Sequence, residues 1–130
     1  ILENIDRACK ERQCSKVFIA EDPKGRHHAG IYMIWDKKNA YYLTGGGDPD
    51  YRNSGATSLC FYHAISFASK VTTSFDFEGS MIESIERFFR GFGATQTPYF
   101  AIFHTPSKRY KLLKKFKSGK ELLFENFIKK

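Results

Sequence analysis

From residue 54 to residue 70 nearly every side chain is apolar or small, with Leu59, Tyr62, Ile65 and Phe67 interleaved among Ala56, Ala64 and Ala68. The pattern predicts a helix buried on most sides rather than one with a narrow apolar stripe. Such a helix needs a broad apolar surface to lie on. In a chain of 130 residues, enough for one core, that surface has to come from the segments flanking it.

Upstream, residues 16–21 and 28–36 are rich in Val, Ile, Phe, Tyr and Trp, the types that fit a pleated, half-buried surface. Asp22-Pro23-Lys24-Gly25 between them holds the residues of a tight reversal, which predicts a β-hairpin. Asp36-Lys37-Lys38-Asn39 turns the chain again, residues 40–44 supply a third strand, and the run Gly45-Gly46-Gly47 lets the backbone leave the sheet without steric cost. Ahead of this meander, residues 1–13 place Ile1, Ile5, Ala8 and Cys9 on one helical face.

Downstream, residues 72–77 form a short β-branched and aromatic strand that leads into Glu78-Gly79-Ser80. Ser80-x-x-Glu83 is a capping-box pattern and predicts a helix start. Ile82, Ile85, Phe88, Phe89 and Phe92 then make one apolar stripe, Arg87 and Arg90 sit near the negative end of the helix dipole, and Gly91 or Gly93 closes the helix. Residues 99–103 read as a last strand. The order of elements predicts an α+β fold, a mixed and largely antiparallel sheet flanked by helices. It divides the chain into a domain over 1–106 and a helical extension over 107–130, where Lys alternates with Leu112, Phe116, Leu123 and Phe127.

The net charge of +7 lies in that extension: residues 1–99 carry 12 basic and 12 acidic side chains, residues 100–130 carry 9 and 2. Such a run is either a solvated face or a means of meeting phosphates. Cys9, Cys14 and Cys60 form no CxxC pair, and His27, His28, His63 and His104 show no ligand spacing, so the pattern points to neither a disulfide framework nor a metal site. A reducing, cytoplasmic setting is the simpler reading, and no stretch is long and apolar enough to predict a transmembrane span. The oligomeric state is not legible. An opening Ile1 in place of Met fits a piece of something longer.

Two local sequences carry a family resemblance. Arg52-Asn53-Ser54-Gly55-Ala56-Thr57 is similar to the Gln/Arg-x-x-Gly-x-Gly/Ala turn with which GNAT acyltransferases hold the donor diphosphate, with Thr57 in place of the last Gly or Ala. Phe75-Asp76-Phe77-Glu78-Gly79-Ser80, followed by Phe88-Phe89-Arg90-Gly91-Phe92-Gly93-Ala94, resembles the paired signature of the Fem-like branch of that superfamily. The resemblance runs from about residue 16 to residue 103 and implies the C-terminal portion of a GNAT domain. It implies an N-acyltransferase using acetyl-CoA or another acyl-CoA, or aminoacyl-tRNA, as donor. It also implies an amine acceptor on a peptidoglycan or sugar precursor, with tRNA contact as a further possibility for the basic extension.

Acyl transfer to an amine needs a base, donors for the oxyanion and a place for the carrier's phosphates. Successive N–H groups at Gly55, Ala56 and Thr57 at a helix start, with Arg52 beside them, suit an anion. The alternative is that Asn53 or Ser54 caps the helix and Gly55 merely packs closely. Glu78 and Asp76 are the candidate bases; each is equally suited to accepting backbone N–H groups of the turn. Tyr99 and Tyr62 read as core aromatics, His63 as a satisfied core histidine and Cys60 as packing. The competing class is a GNAT-like module without chemistry that holds nucleic acid or an anionic surface through its basic tail.

Overall fold

Alternation of apolar side chains decides which face of the sheet is inside. In β2 (His27–Trp35) Ala29, Ile31 and Met33 are buried at every second residue, and β1 (Ser15–Glu21) pairs with it antiparallel, Ser15 opposite Ile34 and Ala20 opposite Ala29. The hairpin turn is closed by Asp22, whose carboxylate accepts the N–H groups of Lys24 (2.8 Å) and Arg26 (3.1 Å), while Gly25 takes φ +78°. Asp36 does the same for the next turn, accepting from Lys38 and Asn39 at 2.7 Å each.

The computed structural model describes residues 1–98, 100 and 102. Backbone contacts divide the chain into Ile1–Gln96 and Thr97–Lys130, and the regular elements among the described residues belong to the first. These are α1 (Leu2–Glu11), β1, β2, β3 (Asn39–Gly47), a 3-10 segment (Pro49–Ser54), α2 (Ala56–Ala68), β4 (Ser74–Asp76) and α3 (Glu83–Arg90). The sheet order is β1-β2-β3-β4, antiparallel except for the parallel β3–β4 pair. The α+β sheet flanked by helices is therefore as the sequence predicts. Most of the expected strand over 99–103, the boundary at 106 and the extension over 107–130 lie outside the described residues.

Three expectations are corrected. The glycine run does not leave the sheet: Gly45, Gly46 and Gly47 pair with Ile31, Gly30 and Ala29, and the chain departs only at Asp48. The reason is close approach, since a Cβ on Gly45 would stand 2.6 Å from the Gly30 carbonyl oxygen. Helix α2 is covered on one side only, with Ala56, Cys60, Phe61, Ala64 and Ala68 buried but Leu59 and Tyr62 more than half exposed; its small residues let the backbone lie close to the sheet. The capping box does not form. Ser80 Oγ accepts from the Ile82 N–H at 3.1 Å instead, Ile82 is extended, and Glu83 reaches forward to Arg87 at 2.9 Å.

The core closes around Phe61 on α2, which is 2% exposed. Its ring lies 4.9 Å from Tyr42 of β3 and 5.6–5.8 Å from Phe77, Phe88, Phe89 and Phe92. Gly93, at φ +84°, turns the chain after α3. Replacing Phe61 by Ala should lower unfolding free energy by about 3–5 kcal/mol. Gly45→Ala should cost about 1–3 kcal/mol through the forced shift of β2. Both are read from denaturant midpoints.

Candidate active site

The corner between β3 and α2 brings the predicted phosphate turn to the end of the sheet. Asp48 caps the 3-10 segment by accepting the Asp50 N–H at 2.9 Å, and Gly55 then takes φ +75°, ψ 2°, a left-handed conformation that lets α2 begin at Ala56. A Cβ built on Gly55 meets nothing within 4 Å, and neither does one on Gly46. The corner is open, so Gly55 is not there for close packing. Ser54 Oγ accepts from the Ala56 N–H at 3.3 Å, the modest capping role weighed for it. The next N–H groups, Thr57 and Ser58, lie in the first turn and have no acceptor within the helix.

Of the six predicted donor residues, Ser54, Gly55 and Ala56 come together on the wall of a cleft of about 360 Å³, opposite Ala20, Glu21, Asp22 and His28. Arg52 and Asn53 are exposed on the 3-10 segment and do not line that cleft. Thr57 Oγ1 is turned to the sheet, 3.0 Å from where a Cβ on Gly47 would be.

A second feature is an opening between β3 and β4. Their parallel ladder covers only Asn39, Ala40 and Tyr41 against Ser74, Phe75 and Asp76. Beyond it β3 runs on to Gly47 with no strand on that edge among the described residues. Beside the opening β3 carries a bulge, because Tyr32 faces Thr44 and Met33 faces Tyr42, which leaves Leu43 out of the β2–β3 register. Nothing in the sequence marks Leu43 as a bulge.

Asp76 and Glu78 stand where β4 ends. Both are exposed. Asp76 Oδ1 accepts the Glu78 N–H at 2.7 Å, the turn-forming role weighed for a carboxylate there. Glu78 and Gly79 are consecutive left-handed residues, φ +59° and +69°, so the strand's alternation ends at Phe77. Among the described residues the Glu78 carboxylate has no ion pair.

Side chains not singled out by the sequence also gather at the cleft. Asp22 Oδ2 accepts from Arg26 Nε at 2.7 Å and lies 3.3 Å from His28 Nε2. The Arg26 guanidinium and the turn N–H groups hold the Asp22 carboxyl far below the usual carboxylate range. His28 stacks on Tyr51, centroids 3.9 Å apart and planes 6° from parallel, and the Arg26 guanidinium lies 5.1 Å from the same ring. The one signal in the sequence was the paired His27-His28 beside an Asp-Pro turn. His63, read as a core residue, is exposed beside Tyr62. Cys60 is buried with its thiol 3.7 Å from the Phe18 and Ala29 carbonyl oxygens, and burial pushes its pKa up, as suits a packing residue. Tyr62 is not a core aromatic but an exposed one. Among the described residues no three His, Cys, Asp or Glu side chains gather as a metal requires, and no helix is long and apolar enough to cross a membrane.

Comparison with solved structures supports this architecture. The BH1408 protein of Bacillus halodurans, as its tetramutant, superposes with a TM-score of 0.62 at 15% identity over 78% of this chain and 73% of that one. The aminoglycoside antibiotic 6'-N-acetyltransferase AAC(6')-Ih of Acinetobacter baumannii gives 0.61 at 14% identity over 80% and 78%. AAC(6')-Iy, solved in complex with the bisubstrate analogue CoA-S-monomethyl-acetylneamine, gives 0.57 at 11% identity over 78% and 75%. At such identities the likeness is one of fold. No curated protein matches the sequence. The Acetyltransferase (GNAT) domain family matches residues 1–91, from before α1 to the end of α3, and with well over half of its length accounted for the chain belongs to that family.

Proposed function

We propose that the chain is an N-acyltransferase that moves an acetyl or other acyl group from an acyl-coenzyme A to an amine. The observation that carries this is the open corner at the start of α2, where a Cβ on Gly55 would meet nothing within 4 Å and the positive end of the helix is left clear. A diphosphate fits the N–H groups of Gly55 and Thr57, and that of Ala56 once it displaces the 3.3 Å contact with Ser54 Oγ, with Arg52 as an added cation on the exposed side. Asn53 and Ser54 shape the approach. The β3 edge beyond Tyr41, which pairs with no strand among the described residues, offers N–H and C=O groups to the amide-bearing arm of the donor, as a strand edge does to any extended chain. That arm directs the thioester toward the β3–β4 opening. Support for the donor comes from AAC(6')-Iy, which was solved with a coenzyme A analogue.

At the opening, attack by the amine on the thioester carbonyl forms the C–N bond, places charge on the carbonyl oxygen and expels the thiolate. The bulge at Leu43 takes one peptide unit out of the ladder there, and its N–H is the donor we assign to the oxyanion. Glu78, without an ion pair among the described residues, takes the ammonium proton directly or through one water; Asp76 holds the turn on which it sits. The Asp76–Ser80 and Arg90–Ala94 segments support the narrower Fem-like reading, with aminoacyl-tRNA as the other donor and a peptidoglycan or sugar precursor as acceptor. A cytoplasmic setting suits either carrier. The absence of tyrosine from α3, the helix that often carries the proton donor to the leaving thiolate in this superfamily, favours the second reading, a binding module that uses the basic tail.

Acetyl-coenzyme A should raise the melting temperature of the chain, and Gly55→Glu should abolish that rise while leaving the unliganded protein folded; a rise that persists in the variant would move the donor elsewhere. In acetyl transfer to a small amine, Glu78→Gln should lower kcat by about 10²–10⁴, and Asp76→Asn by less. Equal rates for Glu78→Gln and the parent would remove the base.

A further inference from the structure

The 3-10 segment Pro49–Ser54 delivers the phosphate turn, yet its own backbone can hardly hold it. It is six residues long, none of them buried, and Tyr51 within it departs from helical geometry at φ −111°, ψ 20°. Its main-chain ties to what precedes it are the Asp48 N–H to the His28 carbonyl, 2.9 Å, and the Tyr51 N–H to the Asp48 carbonyl, 3.1 Å. So short a turn is marginal by itself.

What fixes it is one ring. Tyr51 lies flat on His28, and both the stacked imidazole and the Arg26 guanidinium beside the Tyr51 ring are bound to the same carboxylate, Asp22. The His28 and Asp22 side chains are 15% and 14% exposed, so that pair is shielded while Arg26 is 49% exposed, and Asp22 is itself locked by two backbone N–H groups of its turn. Arg26 is thereby engaged by Asp22 and is not a free cation for a phosphate.

We propose that Tyr51 is the positioning residue of the donor site: the Asp22–Arg26–His28 lock grips its ring and sets the path of residues 49–55, so that the N–H groups after Gly55 already point at the donor before it arrives. The donor part of this inference rests on the acyl-coenzyme A reading; the grip on the corner does not. Preorganisation of this kind acts on binding rather than on the chemical step. Tyr51→Phe keeps the flat ring and the cation contact, whereas Tyr51→Ala removes both.

The test uses the full chain and coenzyme A, titrated calorimetrically into the parent, Tyr51→Phe, Tyr51→Ala and Asp22→Asn, with amide hydrogen exchange of residues 49–58 followed in each. Tyr51→Ala should weaken coenzyme A binding and raise the acetyl-coenzyme A KM about tenfold, with kcat within about twofold of the parent. Exchange should quicken at residues 49–58 while β2 and β3 stay protected. Tyr51→Phe should restore both readouts, and Asp22→Asn should fall between. Parent-like affinity and exchange in Tyr51→Ala would overturn the proposal, as would a fall in kcat at unchanged KM. Should the parent itself bind no coenzyme A, the donor reading fails, and exchange alone decides the grip: faster in Tyr51→Ala sustains it, unchanged refutes it.

Discussion

The structure depends on the packing of Phe61. A single ring on α2 meets side chains of β3, of the segment after β4, and of α3, so it fixes how the central helix lies on the sheet and where the last helix can go. Each aromatic pair adds about 0.5–1.5 kcal/mol beyond area burial, but geometry matters more than the sum. With Phe61 seated, the buried alanines on one side of α2 let its backbone lie against β1 and β2, and the start of the helix is carried to the end of the sheet. The residues that resemble the Fem-like signature, Phe77, Phe88, Phe89 and Phe92, are the walls of this socket. Their presence is explained by the fold before any chemistry is invoked.

From that placement the site follows by removal of material. Gly55 clears the helix start, the short β3–β4 ladder opens the sheet beside it, and the bulge at Leu43 frees a peptide unit at the mouth of the opening. None of these needs a charged side chain. The proposed site is built mostly from backbone and from absent side chains, with Glu78 as its acid–base group and the Asp22, Arg26, His28 and Tyr51 set as its support.

This division explains what could be read from the sequence. The four strands of the described sheet and the hairpin turn were legible because alternation and Asp-Pro-Lys-Gly chemistry are local signals, and the helix that follows Arg52–Thr57 because its apolar run is local too. The glycine run was misread because its cause is a contact with Gly30 across the sheet, which local sequence does not contain. Exposure of Leu59, Tyr62 and His63 was missed for a related reason: composition says that a helix is apolar, not how many of its sides are covered. The capping box failed because the helix begins at Glu83 with Ile82 as its N-cap, two residues beyond Ser80, so Ser80 and Glu83 do not stand at the N-cap and N3 positions. The Leu43 bulge and the Tyr51 stack are properties of register and of distant partners, and no spacing rule reports them.

The central claim is that an anionic acyl carrier binds at the start of α2. Backbone amide resonances followed by NMR during a coenzyme A titration read that place directly, at the level of single N–H groups. The account predicts the largest shifts at Gly55, Ala56 and Thr57, with smaller ones along Leu43 to Gly47. Shifts confined to residues beyond 106, or absent from the α2 start at saturating coenzyme A, would contradict it.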